Sequence, residues 1–312
     1  MNYPILLSSA CVAIFLASCG GSDNKLPLAS TTRAGQAAAV QLYNTGRAQE
    51  SAGQIKKAIS SYEEVAEDFP LSEPAPDARF RHASLLDRQG NLIEAFDSYQ
   101  IYLSKYSAGP QYSTSLRRQY AVAHAVADGQ IKNSFLGIKS RMDSKKTVEM
   151  LNKVRQNAPR TPGAPLTQFK IGEVWERANK HPEAIAAYRS LTLEYADSNL
   201  APEAQYRIGN ILTNQAKDGN QDQANIDRAK EAYQDLLLRY PNSSQAKKAR
   251  AAIASLGSAD LQRSYDVAEF YRKKDQSSSA IFYYREVVRR SQPGALRDQA
   301  LARLGELGAT AQ

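Results

Sequence analysis

The chain has 312 residues, with 40 Lys or Arg against 32 Asp or Glu and a formal net charge of +8. Charged residues make up 23% of it and the mean hydropathy is −0.51, which excludes a membrane-embedded helical bundle. Two Cys and three His are too few for a disulfide framework or a four-thiolate zinc site, and they argue against a histidine-ligated metal centre. The composition therefore predicts one or two soluble domains without a metal or other cofactor.

An apolar run over residues 5–18 ends directly before Cys19. It is shorter than the roughly 20 residues that span a bilayer and has the length of a signal-peptide core. The tetrapeptide Leu-Ala-Ser-Cys that ends at Cys19 resembles a bacterial lipobox. The resemblance implies that residues 1–18 are removed as a signal peptide and that Cys19 carries the lipid. An uncleaved anchor or an ordinary secretory signal is the alternative, because no Lys or Arg precedes the run.

The residue after the cysteine bears on localisation. In enterobacterial lipoproteins an Asp there marks retention in the inner membrane, whereas this chain has Gly20. The resemblance thus implies a palmitate-bearing lipoprotein on the periplasmic face of the outer membrane, held there by two or three acyl chains. Residues 19–35 are small and polar without helical periodicity, which predicts a lipidated flexible tether.

From about residue 36 onward, helical periodicity dominates and one pattern recurs. A small residue is followed by an apolar one, then by an aromatic residue or Leu four positions after the first, and then by another apolar residue. The first positions of the six copies are Ala58, Ala95, Thr147, Ala184, Ala229 and Ala280. A second small residue precedes most copies, at Gly46, Ala83, Gly172, Gly209 and Ala268.

This pattern resembles the tetratricopeptide repeat, a helix–turn–helix unit of about 34 residues. Small residues let two helix backbones approach closely, and the aromatic residue fills the space between neighbouring hairpins. The sequence therefore predicts an all-α fold, a helical solenoid of about five to six hairpins. Glycines at 53 and 90 are expected at turns within repeats, in the left-handed conformation.

The spacing of the copies suggests how the chain is organised. We expect an N-terminal repeat lobe over 36–110 and a C-terminal repeat lobe over 111–312. The third copy is degenerate, so residues 112–158 are expected to pack less regularly. The polar stretch 217–226 is predicted to be a loop.

Motifs of common enzyme sites are missing. The sequence has no phosphate-binding loop of the GxxxxGK type and no GxSxG nucleophile elbow. His82, His124 and His181 are far apart in sequence, and each is expected on a helix or turn surface. Basic clusters such as Arg272-Lys273-Lys274 would suit nucleic acid, but a lipoprotein would not meet it, so a solvated face, an acidic protein or lipid headgroups are the alternatives.

The lipobox, the tether and the helical hairpins together resemble the BamD family. The local matches are the segments 42–46, 58–63 and 69–72 near the start, and 229–233, 238–243 and 265–271 near the end. Members of that family are the lipoprotein component of the outer-membrane β-barrel assembly machine. The chain is longer than a typical member, and Gly257-Ser258 is expected to interrupt a helix that is usually continuous.

The resemblance implies a non-enzymatic scaffold. Its N-terminal repeats would receive unfolded barrel precursors, and its C-terminal repeats would hold the barrel-forming subunit through POTRA domains. From helix position, the candidate peptide-groove residues are Tyr43, Arg47, Arg79 and Arg81. The candidate partner-docking residues are Lys247, Arg250, Arg263 and Tyr265.

Other functions compete with this interpretation. One is a periplasmic repeat adaptor of the Tol–Pal or peptidoglycan-synthesis type, although residues 20–60 lack the heptads of its usual coiled coil. A pilotin for a secretin is another. An enzyme such as a lytic transglycosylase would need an appended catalytic domain of about 100 residues, for which the repeats leave no room.

Overall fold

The computed structural model describes residues 31–130, 142–218 and 223–312, and the backbone of two short strands between 134 and 139. The predicted signal peptide, Cys19 and most of the tether lie outside the described residues. The first helix begins at Arg33, inside the segment expected to be tether. Thr32 caps it, because its hydroxyl accepts a hydrogen bond from the Gly35 amide at 3.0 Å.

The described part of the chain is helical apart from one pair of strands. The helices are α1 Arg33–Ser51, α2 Ile55–Asp68, α3 Ala75–Gln89, α4 Leu92–Lys105, α5 Tyr112–Ala127, α6 Ser144–Asn157, α7 Ala164–Arg177, α8 His181–Glu194, α9 Ala201–Asp218, α10 Gln223–Arg239, α11 Ser244–Lys273, α12 Ser277–Arg290 and α13 Ala295–Glu306. Strands β1 Ser134–Phe135 and β2 Ile138–Lys139 pair antiparallel, with Ser134 opposite Lys139. The predicted all-α fold class is confirmed.

The helices follow one another as six hairpins, from α1–α2 to α11–α12, with α13 after the last. Each of the six predicted pattern positions lies in the second helix of a hairpin. The turns use left-handed residues, as expected for Gly53 (φ +71°) and Gly90 (φ +80°). Asn179 (φ +55°) and Asp275 (φ +58°) replace glycine in the α7–α8 and α11–α12 turns, since Asn and Asp tolerate this conformation better than other side chains.

Glycine at the helix crossings makes room for tyrosine. A Cβ atom on Gly172 would lie 2.4 Å from a ring carbon of Tyr188, and one on Gly209 would lie 2.3 Å from a ring carbon of Tyr233. Both rings are buried. The predicted roles of small residue and aromatic residue are confirmed in these two hairpins.

The structure divides into two compact units between Leu85 and Leu86, within α3. The first unit has a core of Ala58, Tyr62, Val65, Ala78 and Leu85. The second contains one buried cluster from α7 to the first half of α11 and another from the second half of α11 to α13. The lobe boundary expected between 110 and 111 falls inside this second unit.

Two stretches expected to be irregular contain regular helix. In the polar stretch 217–226, α9 continues to Asp218 and α10 has begun at Gln223, with Ile226 buried in the core of the second unit, while residues 219–222 lie outside the described residues. Residues 112–158 contain the regular helices α5 and α6 and, between them, the strand pair β1–β2.

The expected break at Gly257-Ser258 is wrong, because α11 runs for 30 residues through both. One glycine costs a helix only about 1 kcal/mol, and the nearby Leu256, Ala259 and Leu261 are strong helix formers. The hydroxyl of Ser258 donates to the carbonyl of Ala254 at 3.0 Å, within the helix.

Candidate protein-interaction sites

Two of the four predicted groove residues meet in the first unit. The Tyr43 hydroxyl donates to Asp77, and the Arg81 Nε donates to Asp77 at 2.6 Å and to the Tyr43 oxygen at 3.2 Å. A second nitrogen of Arg81 lies 3.2 Å from Glu50, which accepts the Tyr62 hydroxyl at 2.9 Å. Two phenols, two carboxylates and one guanidinium thus form a connected, half-buried network.

The other two predicted groove residues lie apart from this network. Arg47 is exposed on α1. The side chain of Arg79 is only 2% exposed, and its guanidinium donates to Glu67. Since Arg79 offers almost no surface to a ligand, it does not line an open groove. Its ion pair with Glu67 instead stabilises the packing of α3.

Burial changes the titration of the first unit. It raises the pKa of Tyr43 and Tyr62, and the carboxylates of Asp77 and Glu50 that accept their hydrogen bonds raise it further. Both phenols therefore stay protonated and act as donors. His82 is buried, contrary to the expected surface position, and burial with nearby Arg79 lowers its pKa to about 4.

The structure also shows a recurring arrangement that the sequence patterns did not reveal, which we call the Tyr–acid–Arg clasp. An acid near the end of a first helix accepts the hydroxyl of a Tyr twelve residues later and pairs with an Arg 31 residues later. The three copies are Glu50–Tyr62–Arg81, Asp87–Tyr99–Arg118 and Glu176–Tyr188–Arg207. The Arg belongs to the first helix that follows the hairpin, so the clasp joins consecutive hairpins. The constant spacings of 12 and 31 are the signal that could have revealed it.

The last hairpin has a variant of the clasp. Glu269 accepts the Tyr284 hydroxyl and pairs with Arg272 at 2.9 Å and with Arg303 of α13 at 3.0 Å. These hydrogen bonds, above all that from Arg272, lower the pKa of Glu269 to about 2. The carboxylate is therefore ionised at any physiological pH and holds α13 against the hairpin.

The predicted partner-docking residues all lie on α11 but do not form one site. Lys247 and Arg250 are exposed in its first two turns, whereas Arg263 and Tyr265 follow after Gly257. At 1.5 Å per residue, Arg250 and Arg263 are about 20 Å apart along the helix. Tyr265 packs edge-on against Tyr284 at 5.5 Å between ring centroids, as part of a buried cluster.

Arg263 belongs to a charge cluster around a buried acid that sequence inspection missed. Asp260 is 3% exposed, lies in the middle of α11, and bonds Arg290 of α12. Lys230 of α10 and Arg263 lie 3.8 and 3.4 Å from its carboxylate. One acid therefore ties α10 and α12 to the same point of α11, and three cations around it leave that region basic.

Neither metal chemistry nor a membrane span is indicated by the described residues. Within them, no group of three or more His, Cys, Asp or Glu side chains could hold a metal ion. Among the helices described, none combines the length and the apolarity that crossing a bilayer requires.

Comparison with protein-family models agrees with the repeat architecture. A tetratricopeptide-repeat family model matches residues 43–112. Among solved structures, a thermophilic repeat protein of Thermus thermophilus is 16% identical, with a TM-score of 0.30 over 70% of this chain and 98% of its own. MamA of Desulfovibrio magneticus is 13% identical, with a TM-score of 0.30 over 66% of this chain and 97% of its own.

Two further matches confirm the family suggested by the sequence. The outer membrane protein assembly factor BamD of Caulobacter vibrioides is 28% identical over 160 residues, which are 51% of this chain and 52% of the relative. The chain thus spans about half the length of that relative. The YfiO model, described as an outer membrane lipoprotein, matches residues 139–307, more than half of the chain. The chain belongs to the YfiO family of outer membrane lipoproteins.

Proposed function

We propose that this protein is a lipid-anchored scaffold on the periplasmic face of the outer membrane that takes part in the assembly of β-barrel proteins. The family match over residues 139–307 carries this proposal, together with the relative whose name is outer membrane protein assembly factor. The scaffold performs no reaction itself and acts by bringing a precursor and a barrel-forming subunit together.

The anchor in this proposal is Cys19, which the lipobox pattern singles out. Two or three acyl chains bind a membrane stably, because each buried CH₂ contributes about 0.8 kcal/mol. Replacing Cys19→Ala should move the protein out of the outer-membrane fraction. If the variant fractionates normally with the outer membrane, the lipid anchor is wrong, whatever the role in assembly.

Precursor binding would use the first unit. Its network around Tyr43 and Arg81 holds a guanidinium and a phenol in fixed positions, half exposed. Along α1 runs an open groove of about 740 Å³ that includes Gln36, Val40 and Asn44. Amide side chains can bond an extended peptide backbone, and apolar ones can accept its alternate side chains. Both features suit an unfolded strand.

Partner docking would use the exposed cations at the start of α11, Lys247 and Arg250, against an acidic face of a POTRA domain. The test is crosslinking in intact cells, with a photoreactive residue at 247 or 250 and a control at the exposed position Arg160 on another helix connection. We expect a POTRA-containing barrel protein to be captured from the first two positions only. Its absence from both, with the protein correctly localised, would reject the proposed partner.

A further inference from the structure

A groove of about 610 Å³ opens in the second unit between α5, α6 and the connection from α6 to α7. Its walls are mainly apolar, with Leu116, Val154, Ala158 and Ala164 among the lining residues. The α5 side, which includes Leu116, lies outside both family-model matches, since these cover 43–112 and 139–307. The groove therefore combines a wall from outside the matched ranges with helices inside the range 139–307.

One wall of the groove is held in place by side-chain contacts. The ring of Tyr120 stacks on His124 with centroids 4.1 Å apart, and His124 Nε2 lies 3.1 Å from the hydroxyl of the fully buried Thr167. A Cβ on Gly163 would lie 2.8 Å from the Tyr120 ring. Because the wall is fixed before anything binds, a ligand would lose little free energy in ordering it.

The charged residues that line the groove are basic. Arg117 and Arg155 line it, and no acidic side chain does so among the described residues. Arg117 donates to the Thr114 hydroxyl at 3.0 Å and is largely exposed. Arg155 pairs with Glu194 at 2.7 Å, but its Nε is buried and finds no acceptor in the part of the chain that the structure describes. The charge of Arg155 is therefore already paired, and an anion at the groove would be attracted by the exposed guanidinium of Arg117 and repelled by no lining carboxylate.

We propose that this groove binds a peptide segment that carries a large apolar side chain beside a carboxylate. The apolar walls take the side chain, and Arg117 pairs with the acid. The groove also includes Ser113 and Thr161, whose hydroxyls can bond peptide amide groups. The Thr161 hydroxyl donates to the Ala158 carbonyl at 2.9 Å and can still accept a hydrogen bond. A peptide, whose amide groups can bond these hydroxyls, is therefore favoured over the hydrocarbon chain of a fatty acid, which cannot. The site is separate from the precursor and partner surfaces proposed above and does not depend on them.

The direct test is fluorescence anisotropy with the full lipidated chain in detergent micelles. The probe is a fluorescein-labelled peptide of sequence Gly-Ser-Phe-Glu-Ser-Gly. Two further peptides replace Phe by Ser or Glu by Gln. We expect saturable binding of the first peptide and a loss of about tenfold for each of the others. No saturable binding, or equal affinity for all three peptides, would overturn the proposal.

Variants of the protein locate the binding to this groove. R117Q should weaken binding about tenfold, and its effect should vanish with the Glu-to-Gln peptide, because both changes remove the same ion pair. A158L should also weaken binding by filling the groove, whereas R160Q, which removes a nearby charge outside the lining, should not. Helical circular dichroism checks that each variant is folded. If R117Q and R160Q bind alike, or A158L binds normally while folded, the groove is not the site.

Discussion

The hairpins α7–α8 and α9–α10 share their packing but differ in their polar contacts. In both, a glycine of the first helix lies under a buried tyrosine of the second, Gly172 under Tyr188 and Gly209 under Tyr233. The Tyr188 hydroxyl donates to Glu176 at 2.7 Å, and Arg207 of α9 pairs with the same carboxylate at 3.4 Å. That acid forms a link to the next hairpin.

In the second of these hairpins, the acceptor is neutral. The Tyr233 hydroxyl donates to Asn210 at 2.8 Å and lies 3.3 Å from the Thr213 hydroxyl. Asn210 precedes Tyr233 by 23 residues instead of twelve, and the position 19 residues after Tyr233, where the three clasps have Arg, is Ala252 of α11, so no Arg completes a clasp there. The comparison shows that glycine–tyrosine packing forms the hairpin, whereas the charged clasp also needs an acid on the first helix and an Arg on the helix that follows.

The largest expected effect concerns the packing that both hairpins share. Gly172→Val and Gly209→Val should each destabilise the protein by about 3 kcal/mol, because a side chain there collides with the tyrosine ring and overpacks the core. Gly257→Val is the matched control, since no atom lies within 4 Å of a Cβ at that position. Urea unfolding followed by circular dichroism measures all three variants. If Gly257→Val lowers the free energy of unfolding as much as the other two substitutions do, the close-packing explanation is wrong.

A smaller effect should separate the two polar arrangements. Tyr188→Phe removes a hydrogen bond to a carboxylate and should cost about 2 kcal/mol, whereas Tyr233→Phe removes one to an amide and should cost about 1 kcal/mol. Both variants lose the same hydroxyl group. Any effect on packing therefore cancels when their losses in free energy of unfolding are compared. The measurement is the urea concentration at the midpoint of unfolding, determined for each of the two variants. Equal losses would show that the charged acceptor contributes nothing beyond the neutral one.

The smallest effect concerns pH. Because the pKa of Glu269 is lowered to about 2 in the folded protein, its clasp stabilises the last hairpin fully above about pH 4.5, the ordinary value. That stabilisation is lost as the pH falls from 4.5 towards 2. The protection of α12 amides against hydrogen exchange, corrected for the intrinsic pH dependence of the exchange rate, should therefore fall over this range in the wild type more than in Glu269→Gln. Peptides from α10, whose Tyr233 bonds the amide of Asn210 on α9, should show no such difference between the two proteins.

Much of the fold could be predicted from local patterns. The small residue followed by an apolar and an aromatic one at fixed distances placed all six second helices, because helix packing repeats with the chain. Gly257 was misjudged, since a glycine predicts a break only when tertiary contacts do not oppose it. In the polar stretch 217–226, the apolar Ile226 is buried in the core and α10 extends to include it.

Of the four predicted groove residues, the structure brings only Tyr43 and Arg81 into contact. Their positions in the sequence gave no sign that Asp77 bonds both of them, or that Glu50 bonds Arg81. Arg79, two residues from Arg81, points into the packing instead, because neighbouring helix positions face different directions. The apolar groove beside Tyr120 has no sequence pattern, since its walls come from three separate helical elements.

The sequence by itself determined the all-α repeat architecture, the family resemblance and the residue types at the helix crossings. These properties follow from periodicity and local sterics, which act over one or two helical turns. Only the tertiary structure decided which charges are paired, which are buried and which remain available to a partner. The burial of Arg79 and Asp260, and the contrast between Glu176 and Asn210, depend on atoms brought together from distant helices.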